Sequence, residues 1–282
     1  WNPKMECADR ETIRQMQLEG LKKTVKTCYE RVPLYKKKFD AIGLRPEHIK
    51  TLKDIRHIPF TTSDDLKENY PFGMFAVPNS QITRIHASSG TTGKATVVGY
   101  TRKDIDVWSE CVARCITMAG LGKEDTIQVA YGYGLFTGGL GAHYGAEEMG
   151  ATVVPMSTGN TKKLVTMMVD FGVTGIMCTP SYLLHIAETI EEMGVRDQIK
   201  LKASINGAEP WTDGMRAQIE HQLGIHAHDI YGLSEIMGPG VATDCQFHRG
   251  LHIHEDHFLP EIVDQKTLKP LRDGMEGELV IS

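Results

Sequence analysis

Long apolar runs are missing from this sequence. None approaches the roughly 20 consecutive apolar residues that a membrane-spanning helix needs, and no signal peptide opens the chain. Cysteine is also sparse, because six residues scattered over 282 lack the density of a disulfide-rich secreted protein. We therefore expect a protein of the reducing cytoplasm with no membrane partner. Basic residues do not predominate either, and a formal net charge of −5 gives no electrostatic reason to expect a nucleic-acid partner.

What remains is the composition of an ordinary globular protein, 41% hydrophobic and 24% charged. We divide the chain into three parts of one large domain. Residues 1–80 predict a helical and irregular N-terminal layer, residues 81–240 an α/β core, and residues 241–282 a β-rich segment. In the first part, an amphipathic helix over residues 10–31 ends before Pro33, and the run Thr62-Ser63-Asp64-Asp65 is predicted to cap a short helix ahead of Leu66.

Short apolar runs alternate with amphipathic stretches in the predicted core. The candidate strands are residues 96–100, 126–131, 151–155, 174–178, 202–206 and 226–231. The candidate helices between them are residues 104–118, 139–149, 162–171, 182–193 and 212–223. This alternation predicts an α/β fold with a mainly parallel sheet covered by helices, and such sheets bind ligands at the carboxyl ends of their strands. Two further strands, at residues 258–264 and 278–281, are of the antiparallel type.

The strongest local signal is a run of hydroxyl groups and glycines that ends in a lysine. This run, called the phosphate loop below, comprises Ser88, Ser89, Gly90, Thr91, Thr92, Gly93 and Lys94. Glycines let backbone N–H groups approach an anion closely, hydroxyl groups add donors, and lysine supplies positive charge. The run therefore predicts a phosphate-binding site, although its glycines are too close together for a Walker A loop.

Two further motifs each follow a predicted strand. One is Tyr231-Gly232-Leu233-Ser234-Glu235, in which a carboxylate near an aromatic ring suits a metal–nucleotide site. The other is Asn206-Gly207-Ala208-Glu209-Pro210. Either motif alone is typical of an ordinary exposed loop. The two motifs and the phosphate loop occur together and in a fixed order, which changes their interpretation.

Together, the three motifs resemble the signature set of the adenylate-forming enzymes, the superfamily of the acyl-coenzyme A synthetases. Within it, the sequence is most similar to the phenylacetate–coenzyme A ligase family. The resemblance covers the whole chain and includes residues 86–94, 133–139, 207–211, 231–240 and 255–258. One departure is Ala95, which stands where this family usually has proline.

The resemblance implies an ATP-dependent acid–thiol ligase that forms an acyl-adenylate from an aryl acetic acid and passes the acyl group to coenzyme A. The phosphate loop would hold the β- and γ-phosphates, with Thr91 and Lys94 acting in catalysis, and Glu235 would hold Mg²⁺. The other ATP-binding residues implied are Gly207, Ala208, Glu209, Pro210, Asp229, Tyr231, Gly232 and Ser234. Of these, the first three would border the adenine and Tyr231 would stack on it. The ribose-binding aspartate and a C-terminal domain with a catalytic lysine are expected beyond Ser282.

A glycine-rich run marks the expected acid pocket. Relatives line that pocket where this sequence has Tyr133, Phe136, Gly138, Gly139 and His143. Plain core packing would explain a single aromatic residue, but glycines beside it indicate backbone kept close to a ligand. An aryl ring would pack well against these side chains.

Soft metal ligands crowd the segment after the core. Cys245, His248, His252, His254 and His257 fall within thirteen residues, a density compatible with a structural Zn²⁺ in a tetrahedral site. The zinc ligands we expect are Cys245, His248, His252 and His254. A histidine-rich surface turn without metal is equally compatible with this spacing.

Two alternative functions stay open. The enzyme could adenylylate its acid and use an acceptor other than coenzyme A, which an assay for the thioester would reveal. The chain could also be a nucleotide-binding regulatory fragment without turnover. Whether the natural chain continues past Ser282 with the catalytic lysine domain distinguishes this alternative from the ligase. The partners expected for the ligase are small molecules, namely an aryl acid, ATP and coenzyme A, and a homodimer is left open.

Overall fold

The computed structural model describes residues 1–88 and 95–282, so phosphate-loop residues Ser89, Gly90, Thr91, Thr92, Gly93 and Lys94 lie outside the described part of the chain. The α-helices are α1 (Pro3–Glu6), α2 (Arg10–Arg31), α3 (Pro33–Ala41), α4 (Ser63–Glu68), α5 (Arg102–Met118), α6 (Thr137–Met149), α7 (Thr161–Asp170), α8 (Pro180–Glu192) and α9 (Asp213–Leu223). Short 3₁₀ helices cover Pro46–His48, Leu52–His57, Asn79–Gln81 and Arg196–Gln198. The strands are β1 (Arg84–Ala87), β2 (Val97–Tyr100), β3 (Thr126–Val129), β4 (Thr152–Pro155), β5 (Gly175–Cys178), β6 (Ala203–Asn206), β7 (His226–Leu233), β8 (Gly238–Asp244), β9 (Leu251–Ile253), β10 (Pro260–Val263) and β11 (Glu278–Ile281).

A seven-stranded sheet forms the centre of the compact unit that spans Lys103–His252 and includes Trp1, with strand order β4-β3-β5-β6-β7-β8-β9. Strands β3 to β7 pair in parallel, and β8 pairs antiparallel to β7. Apolar side chains of α7, α8 and α9, such as Leu164, Leu183 and Ile219, pack with Ile176 of β5 in the core of this unit. The predicted α/β fold with a mainly parallel sheet is therefore confirmed.

Strand β7 is longer than the sequence pattern indicates. The candidate strand stopped at Tyr231, but β7 continues to Leu233 and pairs with β8, which the sequence reasoning missed. Glycine and proline at residues 238–240 indicate a loop when read in sequence. The strand accommodates them because Gly238 and Gly240, with φ of 96° and 106°, adopt a backbone conformation that glycine allows.

The second compact unit comprises Asn2–Arg102 and Ile253–Ser282. Leu21 of α2 and Phe39 of α3 lie in its core, and Leu259 from the C-terminal segment packs against the same cluster. The side-chain amide of Gln17 also donates to the carbonyl of Glu255 at 3.1 Å. These contacts join the two ends of the sequence, so this compact unit is not continuous along the chain.

Local signals in this unit have the predicted consequences. Helix α2 begins after Asp9, whose side chain caps the first turn, and ends at Arg31. Pro33 stands in the first turn of α3, where its missing N–H costs nothing. Thr62 and Asp65 form a reciprocal capping box at the start of α4, and β10 pairs antiparallel with β11.

Within the described residues, the helices lack the combined length and apolar character that a bilayer crossing requires.

Candidate functional site

The base of the phosphate loop rests on two antiparallel strands. β1 and β2 pair with Ala87 opposite Val97. Just beyond them, the N–H of Ser88 donates to the carbonyl of Thr96, and the N–H of Thr96 donates to Ser88 Oγ, both at 3.0 Å. Ser88 thus closes the base of the loop with its backbone and its hydroxyl oxygen. The other predicted phosphate-binding residues, 89–94, lie outside the residues described.

The loop after β6 lies tightly against β7. A Cβ atom at Gly207 would stand 2.4 Å from the carbonyl oxygen of Ile230, so glycine is required for this approach. Ala208 has a φ of 70°, an uncommon conformation for a residue with a side chain. Glu209 Oε1 accepts the N–H of Ser181 at 2.7 Å, in the first turn of α8. The predicted adenine-bordering loop therefore has a well-defined backbone, and the Glu209 carboxylate is committed to the start of a helix.

Strand β7 carries the next predicted residue, Asp229, which is half-buried. Burial raises the pKa of Asp229 above its ordinary value, and a hydrogen bond with the Trp211 side chain opposes that rise. The backbone N–H of Asp229 donates to Asp244 Oδ1 at 2.9 Å, and its carbonyl accepts the hydroxyl of Thr243 at 2.8 Å. Strand β8 therefore holds both the N–H and the carbonyl group of Asp229 in place.

The motif around Glu235 forms the end of β7 and a tight turn. Tyr231 and Gly232 belong to β7, and Ser234 and Glu235 belong to the turn that leads into β8. A Cβ atom at Gly232 would stand only 1.8 Å from the carbonyl oxygen of Gly238. Glu235 is exposed, and within residues 1–88 and 95–282 its carboxylate has neither a hydrogen bond nor an ion pair. An exposed carboxylate at a fixed turn suits a hard cation such as Mg²⁺.

Tyr133 and His143, two residues of the predicted acid pocket, begin a chain of hydrogen bonds. Tyr133 Oη lies 3.2 Å from His143 Nδ1, and His143 Nε2 lies 3.1 Å from Glu147 Oε1. Since the Glu147 carboxylate accepts, a neutral His143 carries its proton on Nε2 and accepts the Tyr133 hydroxyl on Nδ1. Burial raises the pKa of Tyr133, which keeps the phenol protonated. The hydrogen bonds of this segment therefore run in one direction, from the Tyr133 hydroxyl to His143 and from His143 to Glu147.

Glycines at the start of α6 allow the rest of the acid segment to close down. A Cβ atom at Gly138 would lie 2.3 Å from the Phe136 ring, and one at Gly139 would lie 2.6 Å from a backbone carbonyl oxygen. The Phe136 ring itself is 43% exposed, so its apolar surface is open to a ligand. The Thr137 hydroxyl lies 3.4 Å from Ser234 Oγ, which joins the acid segment to the turn of Glu235.

Two of the predicted zinc ligands lie together, and a third faces a different partner. Cys245 Sγ lies 3.3 Å from His252 Nε2, so these two side chains are together. His248 turns away and places Nδ1 2.7 Å from Asp244 Oδ2. His254 is buried in the other compact unit. Cys245 and His252 are therefore two expected ligands that lie in contact with each other.

A second group of ligand-type side chains was missed in the sequence. The ligand atoms of His228, Asp244 and His248 lie within 4.8 Å of one another, and both His228 and Asp244 are almost fully buried. Asp244 carried no signal, because its partners His228 and Arg216 stand 16 and 28 residues away in sequence. Glu147, also missed, could have been found, since it follows His143 by four residues on a helix and therefore shares its face.

Known proteins are similar to this chain over nearly its whole length. The sequence profile of the AMP-binding enzyme family matches residues 30–282. A phenylacetate-coenzyme A ligase from Aromatoleum evansii is 55% identical over 280 residues, which cover 99% of this chain and 64% of that protein. One from Thermus thermophilus is 49% identical over 284 residues, covering 100% of this chain and 64% of that protein. This chain thus spans 64% of the length of the curated relatives it matches.

A solved structure with the same architecture is that of a 2-hydroxyisobutyryl-CoA ligase in complex with 2-HIB-AMP and CoA. It superposes with a TM-score of 0.93 at 26% sequence identity, covering 99% of this chain and 67% of that chain. The chain therefore shares the fold of this ligase.

Proposed function

Because the chain belongs to the AMP-binding enzyme family, we propose that its protein is an ATP-dependent acid–thiol ligase. The acid is an aryl acetic acid of the phenylacetate type, which reacts with ATP to give an acyl-adenylate and pyrophosphate. Coenzyme A then displaces AMP to give the thioester. Relatives called phenylacetate-coenzyme A ligase, 49% and 55% identical, support this substrate class.

One observation carries the proposal more than any other. Three segments singled out from the sequence meet in one compact unit, at the carboxyl ends of its parallel strands. The loop at Gly207 lies against Ile230 of β7, and Thr137 of the acid segment lies against Ser234 of the β7–β8 turn. Ligands of α/β sheets bind at this edge. An acid, a nucleotide and a metal-binding carboxylate can therefore be close enough to react.

The reaction joins two anions, so control of charge is the main requirement. The carboxylate of the acid attacks the α-phosphate of ATP, and pyrophosphate leaves with the electron pair of the broken P–O bond. Lys94 and the hydroxyl groups of the phosphate loop would take up the negative charge that develops on the leaving group. Glu235, exposed and without a protein partner in the described chain, fits a magnesium ligand. Bound Mg²⁺ would neutralise phosphate charge and orient the α-phosphate.

Pyrophosphate release by the full-length protein tests the proposal. The acids to compare are phenylacetate, its ring-hydroxylated forms, an indole acetic acid and, as an aliphatic reference, 2-hydroxyisobutyrate. We expect release with an aryl acetic acid and formation of its coenzyme A thioester. Release without thioester would instead assign an adenylylating enzyme with another acceptor. No release with any acid, from protein that binds ATP, would leave a nucleotide-binding protein without this activity.

Lys94→Ala should weaken ATP use more than acid binding, because the lysine charge is proposed to face phosphate. We expect KM for ATP to rise by about 10-fold or more, in line with a lost charge-assisted contact of roughly 1.5–3 kcal/mol. Titration calorimetry with ATP and its non-hydrolysable analogues measures the effect. Lys123→Ala, at a side chain that is 78% exposed, is the matched control. If Lys94→Ala leaves ATP affinity and adenylation unchanged, the assignment of the phosphate loop to the ATP site is wrong.

We further propose that Cys245 and His252 hold a structural zinc ion together with ligands from outside the pair. Their 3.3 Å separation supports the proposal, because a thiolate and an imidazole at this distance can share one tetrahedral ion. Purified protein should retain about one equivalent of zinc after mild dialysis, by elemental analysis. Cys245→Ser should lose the metal and melt at a lower temperature with ATP affinity unchanged, whereas Cys7→Ser, at an exposed cysteine, should behave as wild type. If the purified protein contains no metal and its melting temperature is the same with and without a chelator, these residues form an ordinary surface turn.

A further inference from the structure

Asp244 is the centre of a buried polar cluster behind the nucleotide segments. It lies at the end of β8 and is 2% exposed. Its Oδ1 accepts the backbone N–H of Asp229 at 2.9 Å and lies 3.1 Å from His228 Nδ1. Its Oδ2 lies 2.8 Å from Arg216 Nη1 and 2.7 Å from His248 Nδ1. Burial alone would raise the pKa of Asp244, but these partners outweigh it and hold the pKa at about 2.

Arg216 connects this carboxylate to helix α9 and to Trp211. Its Nη1 also donates to the carbonyl of Ala227, and its guanidinium carbon lies 4.5 Å from the centroid of the Trp211 ring. Arg216 stands near the N-terminal end of α9, where the helix dipole disfavours a positive charge. Its position is therefore explained by its partners, the Asp244 carboxylate above all, and not by the helix.

The same cluster offers His228, Asp244 and His248 as ligands within 4.8 Å, which invites comparison with a metal centre. Arg216 argues against that assignment. Its Nη1 lies 2.8 Å from both Asp244 Oδ2 and His248 Nδ1, where its permanent charge would repel a divalent cation and already balances the carboxylate. The cluster is a buried ion pair with two imidazole partners.

Asp244 and Arg216 each contact a segment that is proposed to bind ATP. Asp244 holds the backbone N–H of Asp229, two residues before Tyr231 on β7. Arg216 stacks on Trp211, which ends the run of residues 207–211 and hydrogen-bonds to the Asp229 side chain. We infer that Arg216 and Asp244 are positioning residues for ATP, holding β7 and the 207–211 loop in the mutual geometry that the adenine requires. This inference rests on the function proposed above.

Asp244→Asn and Arg216→Lys in the full-length protein test the inference. The first keeps the shape of the side chain and removes its charge. The second keeps the charge and removes the planar guanidinium that reaches Asp244, Ala227 and Trp211 together. We expect each to raise KM for ATP by about 10- to 100-fold, the range typical when a group that orients a binding residue is lost. KM for the aryl acid should change little.

A matched control separates positioning from general support of α9. Arg196 donates to the carbonyls of Gln222 and Leu223 at the other end of that helix, at 3.1 and 2.6 Å. Arg196→Ala should lower the melting temperature and leave KM for ATP unchanged. If Asp244→Asn fails to fold, the milder Arg216→Lys supplies the measurement.

Three results would overturn the inference: an unchanged KM for ATP in the folded variants, an equal rise in KM for ATP and for the acid, or the same ATP defect in Arg196→Ala. The wild type is assayed alongside. If it releases no pyrophosphate with any acid, the proposed function has failed. Titration of wild type and variants with ATP then still decides whether Arg216 and Asp244 support nucleotide binding.

Discussion

Replacing Glu235 by glutamine in the full-length protein is expected to slow acyl-adenylate formation by about 100-fold or more, the usual result of removing one group that stabilises transition-state charge. Glutamine keeps the length and shape of the side chain but lacks the negative charge that attracts Mg²⁺. Since Glu235 is exposed on a turn, the substitution should leave the fold intact. Pyrophosphate release measured over a range of Mg²⁺ concentrations gives both the size of the defect and its dependence on the metal.

The control for this variant is Glu192→Gln, at an exposed carboxylate that ends α8. It removes the same charge from the same compact unit and should leave the rate unchanged. High Mg²⁺ should partly restore adenylation in Glu235→Gln, because weaker binding of the metal can be overcome by concentration. A defect that ignores Mg²⁺, or one that Glu192→Gln shares, would show that Glu235 does not act through the metal.

Gly232→Ala is expected to destabilise the protein by about 3 kcal/mol or more, at the upper end of the cost of forcing extra atoms into a packed site. The added Cβ would stand 1.8 Å from the carbonyl oxygen of Gly238, and neither backbone atom can move without opening the β7–β8 pairing. ATP affinity should fall together with stability, because Tyr231 and Glu235 flank the distorted position.

Denaturant unfolding followed by fluorescence measures the loss of stability, and titration calorimetry measures ATP affinity. Gly122→Ala is the matched control, since no atom lies within 4 Å of a Cβ built there. It should unfold at the wild-type midpoint. A Gly232→Ala protein with wild-type stability would mean that β7 and β8 are further apart in solution than in the structure.

The sequence was a good guide wherever neighbours in the chain decide the structure. Helix α2 carries its own cap in Asp9, and α4 carries a capping box in Thr62 and Asp65, so both helices could be predicted. The alternation of apolar runs and amphipathic helices predicted the parallel strands for the same reason. The turn after β7 was placed too early, because Gly232 and the glycines of β8 indicate a loop unless the partner strand is known.

The motifs had the same strength and the same limit. Residue types and order in the phosphate loop, the Gly207 loop and the Glu235 turn were sufficient to predict the family, and the match to the AMP-binding enzyme family confirms that prediction. They did not reveal that Glu209 would cap α8 or that His248 would face Asp244 and not Cys245. When a side chain has several potential partners, the one it bonds to is the one that the fold brings within hydrogen-bond distance.

By itself, the sequence determined the fold class, the family and the positions of the chemical motifs, because these depend on periodicity and on short runs of residue types. The tertiary structure alone decided the pairing of Arg216 with Asp244, 28 residues apart, and the union of both chain ends in one unit. No local pattern encodes such contacts. Burying a charge is costly unless an opposite charge accompanies it, so the partner of Asp244 is set by what surrounds it after folding.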